Sequence, residues 1–194
     1  MKRLIISGYK ASEIGIFSNK NIAVTYIQKA IEKKLIPLIE EGLEWVIITG
    51  QWGVELWAGE VVLKLKSDYP DVKLAVITPF LSIQEKWNEE KQEYFNRIIK
   101  QADFVDSASK EVYRGPWQFT QLNTFLIRNS DGMLLLFDEE AHPDSSPRYM
   151  KQLAQAKAIQ SDYYLHCMNM YDLQMVVEEA AMDQEHSYEQ EPES

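Results

Sequence analysis

The segment ITGQWGVELWAGE, residues 48–60, places two glycines three residues apart where an apolar run gives way to a helical pattern. A glycine loop that leads into a helix offers free backbone N–H groups and the positive end of the helix dipole, which suits a phosphate or another anion. Gly50 would allow a sharp turn, and Gly53 would let a ligand approach the backbone. Glu55 follows in the first helical turn, where its carboxylate could accept hydrogen bonds from ribose hydroxyls or a base amine.

A second glycine loop closes the first apolar run of the chain. The run RLIISG, residues 3–8, ends at Gly8 and is followed by Tyr9 and Lys10. Ligands of parallel sheets bind at the carboxyl ends of the strands, and the first two strands are neighbours in the common doubly wound order. We therefore expect both loops to face one crevice, where Lys10 supplies a mobile positive charge and Tyr9 and Gln51 are neighbouring contacts.

The same residues also have a purely structural interpretation. A Gly-x-x-G turn can exist only to turn the chain, and a glutamate near a helix N-terminus often only stabilises that helix. Because a motif this short has many chance matches, the ligand-binding and the structural interpretations both stay open at this point.

The elements that must position these loops alternate between short apolar runs and helical patterns. The apolar runs predict strands at residues 3–8, 45–49, 72–78, 102–106, 132–138 and 163–168. Helices are expected at about 21–41, 54–67, 84–101, 117–130, 147–160 and 171–182. This alternation predicts an α/β fold: a Rossmann-like, doubly wound, mostly parallel sheet of about six strands with helices on both faces.

Length and composition indicate one domain followed by an end segment. The chain has 194 residues, of which 45% are hydrophobic, and no linker or repeat divides it. We therefore expect a single domain over residues 1–182. Residues 183–194, DQEHSYEQEPES, contain no Lys, Arg or aliphatic residue, so we interpret them as an acidic, disordered tail.

Charge and residue types argue against several classes of function. A formal net charge of −10 disfavours general nucleic-acid binding through phosphate neutralisation. No apolar run is long enough for a membrane span and no secretory leader is recognisable, so we expect a cytoplasmic protein. The single Cys167 excludes an intrachain disulfide, and the spacing of His142, His166 and His186 suggests no metal site.

Six segments together resemble the YpsA-like proteins of Gram-positive bacteria: SGYKASEIGIF, ITGQWGVELWAGE, LAVITPF, WNEEKQEYF, YRGPWQF and RNSDGMLLLFDEE. The resemblance extends over roughly residues 1–180. Such proteins belong to the SLOG superfamily, with the DprA-type DNA-processing proteins and the "lysine decarboxylase-like" LOG phosphoribohydrolases. The resemblance implies a Rossmann-like fold, a nucleotide-derived ligand, and a ligand site that by motif matching includes Gly8, Gly50, Gly53 and Glu55.

The chain differs from the LOG and DprA-type relatives in the residues on which their activities depend. The LOG motif resembles P-G-G-x-G-T-x-x-E, and alignment of its outer glycines on Gly50 and Gly53 places Trp57 where the catalytic glutamate belongs. Glu55 is two residues earlier, roughly 200° away around an α-helix. We assign no catalytic residue, and no other catalytic motif is present. The single-stranded DNA binding of DprA-like proteins is not carried over either, because the chain has no basic stripe interleaved with aromatic residues.

Two further segments supply candidate walls for the pocket. Trp87 and Asn88 follow the third predicted strand, and Arg114 and Asn123 belong to the segment YRGPWQFTQLNTF, from which either side chain could reach a phosphate or a base. Packing of loop and helix is the alternative for both segments. The acidic residues 138–140 end the fifth strand at the carboxyl edge of the sheet, where an acid could touch a ligand; we prefer to interpret them as a solvated turn, since charge runs usually face water.

Three hypotheses of function follow. The first is a cytoplasmic sensor or regulator that holds an ADP-ribose-like nucleotide ligand between the two loops; the resemblance connects it with cell division in Gram-positive bacteria and with a protein partner of the division machinery. The second is a nucleotide-processing enzyme of the glycosidic-bond or phosphoribohydrolase type. The third is a protein-interaction module with a vestigial ligand site. Homo-oligomers are common among such folds.

The ligand interpretation also makes a prediction about one glycine. If the space beside Gly53 receives the anion, Gly53→Ala should keep the fold and weaken ligand binding, because the added methyl group would occupy that space.

Overall fold

Six parallel strands form the centre of the part of the chain that the computed structural model describes, residues 1–189. The strands are β1 (Arg3–Gly8), β2 (Trp45–Ile48), β3 (Lys73–Thr78), β4 (Phe104–Ser107), β5 (Gly132–Leu136) and β6 (Tyr164–Met168). They pair in the order β4-β3-β2-β1-β5-β6. The predicted fold class, a Rossmann-like α/β fold with a parallel sheet, is confirmed.

Helices cover both faces of the sheet. A short 3₁₀ helix (Ala11–Ile14) follows β1, and the α-helices are α1 (Ile22–Glu40), α2 (Val54–Leu65), α3 (Glu89–Gln101), α4 (Trp117–Asn129), α5 (Pro147–Gln160) and α6 (Met170–Glu189). Helix α2 packs against α1, α3 and strands β1 to β3, whereas α5 packs against α4, β1, β5 and β6. Right-handed crossovers place α1, α2 and α3 on one face and α4 and α5 on the other.

The strand order reverses beside β1. The chain progresses from β1 to β4 in one direction and then returns to place β5 on the free side of β1. Leu4, Ile5 and Ile6 are almost completely buried, as expected of a central strand that is covered on both faces. In open α/β sheets, the crevice outside such a reversal is the usual place for a ligand.

The third helix begins later than the periodicity predicts. Residues 81–86 form turns, and Ser82 has a left-handed backbone with a φ of 60°. Asn88 then acts as the N-cap, because its side-chain oxygen accepts a hydrogen bond from the Lys91 N–H at 3.0 Å. The apolar residues of 81–87 therefore belong to a loop at the carboxyl edge of the sheet.

The last helix extends beyond its predicted end. Helix α6 continues through residues 183–189, which the sequence analysis assigned to the disordered tail. Glutamine and glutamate have good helix propensities, so this segment can prolong a helix that has already formed. The remainder of the predicted tail, residues 190–194, lies outside the described residues. Nowhere in residues 1–189 is a helix both long and apolar enough for a membrane span.

Candidate functional site

A cavity of about 190 Å³ lies at the carboxyl ends of β1 and β2. The walls come from both glycine loops, from the first turns of α2 and α5, and from one face of α4. The residues predicted from the sequence that line this cavity are Gly8, Lys10, Gln51, Glu55 and Asn123. The strand order thus brings together residues that are far apart in the chain.

Glu55 is buried at the base of the cavity, with 4% of its surface exposed. One carboxylate oxygen accepts a hydrogen bond from the Ser7 hydroxyl at 2.9 Å. The other accepts the Thr49 N–H at 2.8 Å and also the Thr49 hydroxyl. Burial raises the pKa of the Glu55 carboxyl, although the hydrogen bonds from Thr49, Ser7 and the Gln51 backbone oppose this change.

This hydrogen bonding gives Glu55 a structural role that the sequence analysis did not specify. The carboxylate connects the end of β1, the end of β2 and the first turn of α2. It also satisfies the Thr49 N–H, which would otherwise be a costly unpaired donor. Contact between Glu55 and a ribose hydroxyl stays a prediction.

Gly53 does not provide the ligand access that its lack of a side chain suggested. Its φ is 133°, and an added Cβ would lie 2.5 Å from the Tyr9 carbonyl oxygen and 2.6 Å from the Ala11 nitrogen. Gly53 forms an isolated antiparallel bridge with Lys10, and the next residue, Val54, donates its N–H to the Tyr9 carbonyl at 3.1 Å. The prediction for Gly53 is corrected: backbone of the first loop fills the space assigned to the anion.

Gly50 and Tyr9 also serve packing. Gly50 has a φ of 79°, and an added Cβ would lie 3.0 Å from the Phe95 ring, on the side of α3. Tyr9 is buried; its hydroxyl accepts the Asp138 N–H at 2.7 Å and donates to the Asp138 carbonyl at 3.1 Å. Burial raises the pKa of Tyr9. Both residues therefore hold the loops in place, and neither lines the cavity.

Three of the four predicted wall residues lie away from this cavity. Asn88 caps α3, and Trp87 packs edge-on against Trp52 at a centroid distance of 6.4 Å. The Arg114 guanidinium pairs with the Glu111 carboxylate at 3.1 Å. Only Asn123 contributes to the wall. The sequence pattern placed these residues after the correct strands but could not give their directions.

Three polar side chains in the cavity have hydrogen-bonding capacity that the protein itself does not use. Within the described residues, the Lys10 ammonium group forms no ion pair, and the Gln51 and Asn123 amides form no hydrogen bond. Lys10 offers a positive charge, and each amide offers both a donor and an acceptor. Together they could hold an anion and neighbouring hydroxyl groups.

Helix α5 supplies a wall that the sequence analysis missed. Its first turn contributes Ser146 and Pro147. The Ser146 N–H and hydroxyl both donate to the Glu13 carboxylate, at 2.7 and 2.8 Å, and the Lys10 N–H donates to the same carboxylate at 2.7 Å. Glu13 thus already places a negative charge at this helix N-terminus. The proline at a helix start was a visible signal for the helix, but not for its place at the cavity.

Two other predicted features have structural roles. The Asp138 carboxylate accepts hydrogen bonds from the Glu140, Ala141 and Met170 N–H groups at 3.0 to 3.1 Å. The bonds from Ala141 and Met170 contribute most to holding its pKa below the usual value. Trp57 is fully buried, so the position aligned with the LOG glutamate faces the core. The described residues contain no group of three metal-ligating side chains that could hold a metal ion.

Comparison with known proteins gives the family of the chain. The family model described as the YspA SLOG family (YpsA) matches residues 4–173. A UPF0398 protein of Brevibacillus brevis is 52% identical over 179 residues, which cover 92% of this chain and 94% of the relative. The chain belongs to the YpsA family. A YpsA relative from Lysinibacillus sphaericus, also a UPF0398 protein, is 49% identical over 90% of this chain and 97% of its own.

A solved structure agrees with the SLOG fold of the YpsA family. DNA processing protein A from Helicobacter pylori aligns with a TM-score of 0.55 and 13% identity, covering 94% of this chain and 81% of its own. The Helicobacter structure was used to study how that protein binds single-stranded DNA. At this identity the likeness shows the fold alone. The resemblance predicted from the sequence is confirmed for family and fold.

Proposed function

We propose that this YpsA-family chain binds a phosphate-bearing nucleotide derivative of the ADP-ribose type and acts as a sensor or regulator. One observation carries the proposal. Lys10, Gln51 and Asn123 line the same cavity, and their side-chain polar groups have no protein partner among the described residues. This cavity lies beside the reversal of strand order, where Rossmann-like folds bind ligands.

The charges around the cavity suit a single anionic group. Among the described residues, Lys10 is the one basic residue in the wall and Glu55 the one acidic residue; the Glu13 carboxylate, which accepts hydrogen bonds from the Lys10 and Ser146 N–H groups, adds a second acidic group next to the wall. Because burial raises the pKa of Glu55, its neutral form persists to higher pH than that of an exposed glutamate. A phosphate beside Lys10 would pair with the ammonium charge, while hydrogen bonds from Ser7 and Thr49 engage both oxygens of Glu55.

The size of the cavity indicates which part of a nucleotide it takes. Ligand pockets of proteins usually have volumes of roughly 300–1,000 Å³. The cavity of about 190 Å³ is smaller and suits a sugar phosphate better than a whole nucleotide. We therefore place the ribose phosphate in it, with hydroxyls near Gln51 and Asn123 and the phosphate near Lys10.

One observation favours an enzyme as the second candidate. A buried carboxyl with a raised pKa, located in a cavity, is a frequent feature of general acids that cleave glycosidic bonds. Against this, both oxygens of Glu55 already accept hydrogen bonds from the protein. We therefore prefer binding without turnover.

A calorimetric titration with product analysis separates the two candidates. Ribose 5-phosphate, AMP and ADP-ribose are titrated into wild type, Asn123→Ala and a matched control, Gln121→Ala, which changes an exposed amide on the same helix. We expect saturable binding without products, weakened by Asn123→Ala and unchanged by Gln121→Ala. Release of a free base or of ribose 5-phosphate would establish the enzyme instead.

The cellular role follows the family resemblance. A sensor of this kind would act on a partner in the division machinery of Gram-positive bacteria, and this remains a prediction. Microscopy of cells that carry Asn123→Ala in place of the wild type tests it: normal division with a binding-defective chain would separate the ligand site from division.

A further inference from the structure

A second cavity, of about 510 Å³, adjoins the first at the carboxyl edge of the sheet. Phe119 lines both cavities, so they share a wall on α4. The other walls come from the loop that follows β3 and from the segment before α4. Its volume lies within the usual range for small-molecule pockets.

Four aromatic residues, Phe80, Trp87, Tyr113 and Phe119, line this second cavity, so Trp87, predicted as a pocket wall, lines this cavity rather than the first. Phe80 lies 5.2 Å from Tyr113 and 5.6 Å from Phe119, measured between ring centroids, and Tyr113 lies 6.4 Å from Phe119. Tyr113 is 54% exposed and Phe119 is 37% exposed. A concave surface that leaves aromatic rings open to water is typical of a binding site, because a planar ligand would remove that apolar area from water.

The rim adds polar groups and an unusual backbone. Ser82, Glu85 and Lys86 line the same cavity, and a few polar groups in an aromatic wall can orient a ligand. Ser82 is the one non-glycine residue with a positive φ among the described residues. Such strained positions concentrate at ligand sites, where the surrounding structure maintains them.

We propose that this aromatic cavity is the subsite for the nucleobase of the ligand. The base stacks on the rings of Tyr113 and Phe119, and its ribose phosphate passes Phe119 into the smaller cavity beside Lys10. This inference rests on the proposed function and makes it more specific, because the ligand must carry an aromatic heterocycle as well as a phosphate. The small cavity, too small for a whole nucleotide, and its larger aromatic neighbour are then two parts of one site.

A comparison of two ligands that differ only in the base tests the inference. Ribose 5-phosphate and AMP are titrated calorimetrically into wild type, Tyr113→Ala and Tyr113→Phe, with Tyr171→Ala as the control for loss of an exposed tyrosine. We expect wild type to bind AMP more tightly than ribose 5-phosphate. Tyr113→Ala should lower the affinity for AMP about tenfold, since stacking on one base contributes measurably to affinity.

The other variants and ligands in this experiment show whether a negative result rejects only the base subsite or also the proposed function. Tyr113→Ala should leave ribose 5-phosphate binding unchanged, and Tyr113→Phe should retain AMP affinity because the ring remains. Equal affinities of wild type for the two ligands, or equal losses of both in Tyr113→Ala, would overturn the base subsite alone. Absence of binding for both ligands would reject the proposed function, and the base subsite with it.

Discussion

Glu55 links the two glycine loops, because its carboxylate accepts hydrogen bonds from Ser7, one residue before the end of β1, and from Thr49, directly after β2. A buried carboxylate costs desolvation free energy, which hydrogen bonds from Ser7, Thr49 and the Gln51 backbone offset only in part. The same side chain forms the base of the cavity. Glu55 therefore stabilises the local fold and also lies where the proposed ligand would bind, so variants at this position must separate the two effects.

Substitution of Glu55 should affect stability in a graded way. Glu55→Ala leaves the Thr49 N–H and the Ser7 hydroxyl without their partner, so we expect the free energy of unfolding to fall by about 2–4 kcal/mol. Glu55→Gln should lose less, because its amide oxygen can accept the Thr49 N–H while its NH₂ donates to Ser7. Urea denaturation at neutral pH measures both. Equal stabilities of Glu55→Ala and wild type would contradict this role.

The raised pKa of Glu55 predicts a pH dependence with a definite sign. The folded chain keeps the Glu55 proton to higher pH than the unfolded chain, whose glutamates titrate near pH 4.3. The contribution of this group to stability is therefore complete below about pH 4 and is lost as the pH rises through the folded-state pKa. Glu55→Gln has no titrating group there. As the pH rises from about 4 through the folded-state pKa, the unfolding free energy of Glu55→Gln should increase relative to that of wild type. A difference between the two unfolding free energies that does not change with pH would contradict the prediction.

At the scale of elements, the two strand-to-helix loops stabilise each other. The bridge between Lys10 and Gly53 and the hydrogen bond from the Ala11 N–H to the Trp52 carbonyl at 3.1 Å join them directly. The N-terminus of α5 is attached to the first loop through Glu13. The loops that border the cavity are thus held together by backbone hydrogen bonds and by the carboxylates of Glu13 and Glu55.

Gly53→Ala should therefore damage the fold rather than only ligand binding. The new methyl group would meet the Tyr9 carbonyl oxygen at 2.5 Å, and we expect a loss of at least about 2 kcal/mol in unfolding free energy. Gly15→Ala is the matched control, because Gly15 also has a positive φ, 69°, but no atom within 4 Å of the added Cβ. It should lose only about 1 kcal/mol through backbone strain. Thermal unfolding in which both variants behave alike would contradict the close contact at Gly53.

At the scale of the whole molecule, the strand order places the site. Only the reversal beside β1 brings the ends of β1 and β2 together with the N-terminus of α5. The second cavity lies along the same edge and is lined by residues after β3, by the segment before α4 and by Phe119 of α4. Both cavities therefore lie among loops and helix ends at one edge of the sheet, where Rossmann-like folds commonly bind ligands.

The sequence predicted the strands well where they are buried on both faces. The runs that became β1, β2 and β5 are continuous and apolar, which is typical of central parallel strands. The weak run that became β4 is at the sheet edge, where Phe104 is 46% exposed. Edge strands bury less surface and so carry a weaker apolar signal.

The site was predictable only in part, because much of it depends on contacts that are distant in the chain. Local patterns indicated Gly8, Lys10, Gln51 and Glu55, which lie at the end of a strand, in the loop after a strand or in the helical turn that follows such a loop. The contact between Glu13 and Ser146 leaves no local pattern. The sequence also could not show what lies beside Gly53. A glycine is required wherever another group comes close to the backbone, whether that group is a ligand or another backbone segment.

The most direct test of the central claim compares two lysines. ADP-ribose is titrated calorimetrically into wild type, Lys10→Ala and Lys20→Ala; Lys20 is an exposed lysine that does not line the cavity, so both variants remove the same charge. Loss of a charge-assisted contact with the phosphate should weaken binding about tenfold or more in Lys10→Ala. We expect wild type to bind ADP-ribose saturably and Lys20→Ala to bind it with the same affinity. Equal affinities of wild type and Lys10→Ala, or no binding of ADP-ribose at all, would contradict it.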